Sequence, residues 1–171
     1  MSELSVLGLA HADDAREIAE MSRDLIEDGL QWSWTQARVQ HFITGQDSSV
    51  VVARNNRRGD PRHGFRPTGV GRGIEGFAIM HFGDEVAHLN LLAVAPEHRR
   101  QGIGRRLMHW LTGTAIEAGV FRIDLELRTQ NDEARVFYES LGFTQQGVIQ
   151  GYYQGREAAL RMSRRLAKNQ C

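Results

Sequence analysis

Leu89-Asn90-Leu91-Leu92-Ala93-Val94-Ala95-Pro96, then Arg99-Arg100-Gln101-Gly102-Ile103-Gly104, is the stretch that decides the fold. An apolar strand runs into a short basic turn containing two glycines. The turn opens an amphipathic helix, Arg105-Arg106-Leu107-Met108-His109-Trp110-Leu111. A helix N-terminus carries unpaired backbone N–H groups and a partial positive charge. Glycine lets a bulky anion approach the backbone, and arginine adds bidentate phosphate donors. The stretch reads as a pyrophosphate cradle. Two common phosphate motifs are excluded. Leu107 stands where a dinucleotide fingerprint needs its third glycine. The ATP-type loop needs a lysine, and the only one is the distant Lys168.

Outward from the cradle, the chain alternates strand and helix signals. Strands are predicted at Ser5–Leu9, Ser49–Ala53, Ile74–Phe82, Val86–Val94, Val120–Arg128, Thr144–Tyr153 and Glu157–Arg164. Amphipathic helices are predicted around Ala15–Ile26, with Gly29 as its stop, and over Thr35–Ile43. A third follows the cradle and ends at Gly119. A fourth begins at Asn131, with Asp132 and Glu133 at its positive end. The order gives an α/β (α+β) domain: a mixed sheet with helices on both faces. Val86–Val94 and Val120–Arg128 are joined through a helix, so they should run parallel, with ligands at their carboxyl ends.

Length and composition fit one domain over residues 1–171. Net charge is zero, so nothing draws the whole molecule to nucleic acid or a membrane. No apolar run is long enough to span a bilayer, and Met1–Ala12 lacks the pattern of a secretory signal. The single cysteine, Cys171, permits no internal disulfide, and a cytoplasmic location is the default expectation. The seven histidines show no metal-ligand spacing, so no metal site is expected. Residues 54–73 form an Arg/Gly-rich insertion, expected to be flexible; it reads either as a solvated loop or as a lid or acidic-partner contact.

Val120–Arg128 alternates cleanly. Phe121, Ile123, Leu125 and Leu127 face one way, and Arg122, Asp124, Glu126 and Arg128 the other. A central parallel strand is normally apolar on both faces. The charged face therefore marks a polar cleft or an uncovered strand. The cleft reading makes Glu126 a general-base candidate, with Asp124 on the same face as a like charge that could raise its pKa.

Arg99-x-x-Gly102-x-Gly104 after an apolar strand resembles the acyl-CoA motif of the GNAT superfamily of N-acetyltransferases. Asn131, Ala134, Phe137, Tyr138, Leu141, Gly142 and Phe143 are similar to a second characteristic element of that superfamily. The resemblance covers roughly Ile74–Arg164. Within the superfamily the C-terminal half most resembles the branch that acetylates the N-terminal alanine of a ribosomal protein. Leu125-Glu126-Leu127-Arg128 matches that branch, whereas Gly151 stands where the branch has asparagine before Tyr152-Tyr153. The N-terminal half and the insertion also depart from it.

The resemblance implies a mostly antiparallel sheet with a splayed parallel pair. It implies acetyl-CoA as co-substrate, held by Leu92, Ala93, Val94, Arg99, Arg100, Gln101, Gly102, Ile103, Gly104, Arg105, Asn131, Ala134 and Tyr138. It implies a primary amine as acceptor, with Glu126 as base, directly or through water, and Tyr138 as acid on the leaving thiolate. A backbone N–H of Leu92–Val94 could hold the oxyanion. Trp32, Trp34, Asp124 and Tyr152 are acceptor-site candidates, although tryptophan at a turn also serves plain packing. The expected reaction is direct transfer in a ternary complex, since Cys171 has no histidine nearby to make it a carrier. A non-catalytic acyl-CoA sensor is the alternative. The acceptor class stays open between peptide N-terminus, lysine, polyamine and antibiotic amine, and a homodimer stays open too.

Overall fold

The computed structural model describes residues 5–55 and 73–167. Nearly all of the Arg/Gly-rich insertion, Lys168 and Cys171 lie outside them. Seven strands form one sheet: β1 (Val6–Leu9), β2 (Ser48–Arg54), β3 (Ile74–Phe82), β4 (Val86–Val94), β5 (Arg122–Arg128), β6 (Thr144–Tyr153) and β7 (Glu157–Arg165). Their spatial order is β1-β2-β3-β4-β5-β7-β6. Every pairing is antiparallel except β4 with β5. The helices are α1 (Ala15–Leu25), α2 (Gln36–Thr44), α3 (Ile103–Glu117) and α4 (Asp132–Ser140). Among the described residues no helix is long and apolar enough to cross a membrane.

Local chemistry sets the boundaries. Thr35 caps α2 by accepting from the Arg38 N–H, and Asn131 caps α4 by accepting from the Ala134 N–H. Gly119 and Gly142 take positive φ just past α3 and α4, where a left-handed residue closes the helix. Gly29 also has positive φ, but α1 ends earlier, where the N–H groups of Ile26 and Glu27 both donate to the Ser22 carbonyl.

Two cores flank the sheet. One buries Leu107, Met108 and Leu111 of α3 and Tyr138 of α4 against Leu89, Ile123, Leu125 and Met162. The other buries Ala15, Ile18 and Val39 of α1 and α2 against Val50, Phe77, Ile79, Leu91 and Ala93. Fully burying one such Leu, Ile or Met side chain is worth about 1.5–3 kcal/mol, so both faces of β2–β4 are strongly specified. The second core contains no residue of β5, β6 or β7. On the α1/α2 side the charged face of β5 therefore has no helix packed over it.

Strand β4 changes face midway. Leu91 pairs with Ile79 and Leu89 with Met80, which leaves Asn90 as a bulge. Before it, Ala87 and Leu89 point to the α3 core; after it, Leu91 and Ala93 point to the α1/α2 core. β4 and β5 pair only from Val86–Arg122 to Leu89–Leu125. Beyond that point the strands diverge, and the parallel pair is splayed. Gly76 supports the β3–β4 contact here. A Cβ on it would lie 3.0 Å from Ile103 Cγ2 and 3.1 Å from the Ala93 carbonyl oxygen. Gly76→Ala is expected to destabilise the protein by about 1–3 kcal/mol, the usual cost of overpacking. Denaturant titration checks this; an unchanged midpoint would show that α3 yields freely.

Candidate active site

The cradle stands at the carboxyl end of β4. Pro96–His98 make a single 3-10 turn, Arg99 is extended, and Arg100 has φ of 61°. Gly102 follows with φ of 79° as the N-cap of α3. The N–H groups of Arg100, Gln101 and Gly102 meet no acceptor among the described residues. Those of Ile103, Gly104 and Arg105 belong to the first helical turn, which leaves them unpaired. A Cβ on Gly102 would meet nothing within 4 Å, so the space beside Gly102 is open, and a run of unpaired N–H groups at a helix start suits an anion.

Gly104 also serves packing. A Cβ there would lie 3.3 Å from the Phe137 ring, so Gly104 lets α3 and α4 pack together. Arg105 reinforces that contact by donating to Ser140 Oγ at 3.0 Å. Arg99 donates from Nε to the Val94 carbonyl at 3.1 Å, and Gln101 donates to the Glu97 carbonyl at 3.3 Å; both brace the turn. Ala93 is buried under α1 and α2, while Leu92 and Val94 are half-buried on the α3 side. The Ala95 N–H donates to the Glu75 carbonyl on β3. By ladder alternation, the peptide groups of Leu92 and Val94 then turn to the open side facing β5.

Glu126 occupies the α1/α2 side of β5, one residue past the last β4–β5 pair. Its side chain is only 5% exposed. His88 Nε2 lies 2.5 Å from Oε2, the Tyr152 hydroxyl donates to Oε2 at 3.3 Å, and Arg161 Nε donates to Oε1 at 2.9 Å. Burial works to raise the Glu126 pKa, but the hydrogen bond and charge of His88, and then those of Arg161, outweigh it and hold the carboxyl below its ordinary value. The like-charge influence expected from Asp124 is not what sets this carboxylate. Arg122 grips Asp124 with two hydrogen bonds, at 2.8 and 2.9 Å, which offsets its charge.

Tyr138 lies on the opposite side of the sheet, 7% exposed, with its ring edge-on to Phe137 and Phe143. Burial first, and the nearby Tyr153 phenol second, push its pKa upward. The hydroxyl therefore keeps its proton through the neutral range. Asn131 and Ala134 serve the start of α4, as cap and as packing against the α3 core.

The rim of the cleft comes from two loops. Buried Glu27 accepts from the N–H groups of Ser33 and Trp34 at 2.8 and 3.1 Å, folding the α1–α2 connection. Arg128 Nη2 donates to the carbonyls of Ile26 and Asp28, at 3.2 and 2.7 Å, a cation at the negative end of α1. Gln154 of the β6–β7 turn donates to the Gln31 carbonyl at 3.0 Å. Trp32 is exposed, with Arg23 over its ring. Trp34 is buried against Phe42, with Arg38 stacked 4.1 Å away. A cavity of about 520 Å³ opens beside this face and is lined by His41, Phe42, Asp47, His81, His88 and Asn90. Another, about 390 Å³, lies at the far end of β5 and β7 against Arg122, Ser163 and Arg165, and holds none of Glu126, His88 or Tyr138.

His88 and Arg161, which hold the Glu126 carboxylate, are not among the residues the sequence singles out. The parallel pairing of β4 and β5 puts His88 opposite Asp124 on the same polar face, a signal within reach of the sequence, whereas Arg161 meets Glu126 only through the β5–β7 pairing.

Residues 46–145 match the model of the acetyltransferase (GNAT) domain family. The chain belongs to this family. It is 39% identical over 90 residues to the [ribosomal protein bS18]-alanine N-acetyltransferase of Escherichia coli (strain K12), a match covering 51% of this chain and 61% of that protein. The GNAT chain thus aligns with about three fifths of the length of that relative. The crystal structure of the ribosomal-protein-S18-alanine N-acetyltransferase from Escherichia coli superposes with a TM-score of 0.74 at 24% identity, covering 98% of this chain and 99% of the other. Arabidopsis thaliana NAA60 in complex with acetyl-CoA shares the fold, with a TM-score of 0.76 at 14% identity, covering 95% and 98%.

Proposed function

We propose that this GNAT protein transfers an acetyl group from acetyl-CoA to a primary amine by direct attack in a ternary complex. The observation that carries the proposal is the splay of β4 and β5, with open N–H donors at one side of the gap and the Glu126 carboxylate at the other. The donors of Gln101–Arg105 would take the pyrophosphate. The open-side N–H groups of Leu92 and Val94 would face the thioester oxygen as it gains charge. Glu126 drives removal of a proton from the amine, which is mostly protonated at neutral pH and cannot attack until it loses one. Tyr138 holds the proton that the departing sulfur needs. The names of the relatives favour a peptide or protein α-amine as acceptor.

Two substitutions at one position test the cradle. Gly102→Ala carries only the strain of a left-handed non-glycine residue, about 1–2 kcal/mol. Gly102→Glu adds a negative charge where the phosphates are placed. The Glu variant is expected to bind acetyl-CoA about tenfold or more weakly than the Ala variant by calorimetry, a gap of about 1.4 kcal/mol. Equal affinities would remove the phosphates from this turn. For the acceptor, a peptide with a free N-terminal alanine is expected to gain one acetyl group at its α-amine by mass spectrometry. Acetylation of an internal lysine when the α-amine is blocked would reassign the acceptor class.

A further inference from the structure

We propose that the atom that first takes the acceptor's proton is Nδ1 of His88, with Glu126 as the carboxylate that positions the imidazole. This rests on the acetyl transfer proposed above and names its proton acceptor.

Three observations carry it. First, Glu126 is poorly placed to receive a proton itself. Its side chain is 5% exposed, and His88, Tyr152 and Arg161 already occupy both oxygens. Second, His88 is reachable. Its side chain is 36% exposed and lines the cavity beside the cleft. Third, its two nitrogens are differentiated. Nε2 meets the Glu126 carboxylate, an acceptor, so Nε2 carries the hydrogen in the neutral ring. Nδ1 then carries the lone pair, and it has no hydrogen-bond partner among the described residues. A carboxylate fixing one imidazole nitrogen so that the other can work as base is a recurrent arrangement. His88 also stands one residue before the strands part, at the base of the gap.

Other ionisable groups face the ring from every side. Asp124, held by Arg122, is its register neighbour on β5, and His81 is its neighbour on β3. His41 and Asp47 look across the cavity, and Arg161 and Tyr152 act through Glu126.

The step balances as follows. The ammonium gives one proton to Nδ1 and becomes a neutral amine. The nitrogen lone pair forms the C–N bond with the thioester carbon. The C–S bond breaks with its electron pair on sulfur, and the Tyr138 hydroxyl proton goes to that sulfur. The second proton shed by nitrogen restores the Tyr138 hydroxyl, and His88 releases the first to solvent. The products are an amide, a free thiol and one proton.

The test compares wild type, His88→Ala and Glu126→Gln, with acetyl-CoA and the amine that releases thiol fastest, with and without added imidazole. His88→Ala is expected to lose about 10²–10³-fold in kcat, within the range of general-base contributions, with acetyl-CoA affinity unchanged. Imidazole should restore a large part of that loss, more effectively as the added imidazole is more basic, and should do nothing for Glu126→Gln. A slow Glu126→Gln beside a His88→Ala of wild-type rate and pH profile would overturn the role of His88 alone. So would a slow His88→Ala that imidazole does not rescue. A wild type that releases no thiol with any amine would overturn this inference and the proposed function together.

Discussion

Glu126→Gln is expected to lower kcat by about 10²–10³-fold at neutral pH while acetyl-CoA affinity stays nearly unchanged. The substitution keeps the side-chain shape, and the amide oxygen can still accept from His88 or Arg161, so the site should not collapse. What disappears is the negative charge. His88 Nε2 and Arg161 Nε then face a neutral group, at 2.5 and 2.9 Å in the parent geometry. The expected deficit shrinks as pH rises, because more of the amine arrives already deprotonated. In the parent protein the Glu126 carboxyl sits below its ordinary value, despite a burial that works the other way, because His88 and Arg161 favour the charged form. The carboxylate is therefore ionised across the neutral range. Its contribution to stability is present above the unfolded-state pKa and is lost as pH falls through the folded-state value. Steady-state rates across pH, with calorimetry on acetyl-CoA, check the expectation. A mutant with the wild-type rate at every pH would take Glu126 out of the proton transfer.

Tyr138→Phe is expected to cost about 10²-fold in kcat and almost nothing in stability. The ring is buried against Phe137 and Phe143 and keeps those contacts. The hydroxyl makes no hydrogen bond to the described residues, so its removal leaves no partner stranded. If the phenol protonates the departing sulfur, the loss lies in the chemical step. An acyl donor with a more acidic thiol should then recover much of the rate when sulfur departure is limiting. Weaker acetyl-CoA binding with full turnover at saturation would instead make Tyr138 a binding residue.

Much of this architecture was legible because its signals are local. The stop at Gly119 and the helix start at Asn131 each follow from the conformational needs of one residue. The alternation of Arg122–Arg128 reported a polar face, and that face is the one left uncovered beside α1 and α2. What resisted reading depends on contacts distant in the chain. The bulge at Asn90 is hard to read because in the apolar run Leu91–Val94 that follows it both phases look equally buried. The last two strands are readable one by one, but only the pairing shows that β7 lies against β5 and brings Arg161 to Glu126. Asp124 reads as a like charge beside Glu126, but Arg122, on the same strand and face, binds it. That Gly104 also makes room for the Phe137 ring is not readable locally, because Phe137 comes 33 positions later in the chain.

The most direct test of the central claim follows thiol release and amine acetylation in one reaction, with acetyl-CoA and a panel of peptide α-amines, lysine side chains, polyamines and small antibiotic amines. Thiol release is expected to depend on at least one amine class, matched mole for mole by acetylated amine, with no acetylated protein accumulating. Tight binding of acetyl-CoA without thiol release across the whole panel would contradict it and make the protein an acyl-CoA sensor.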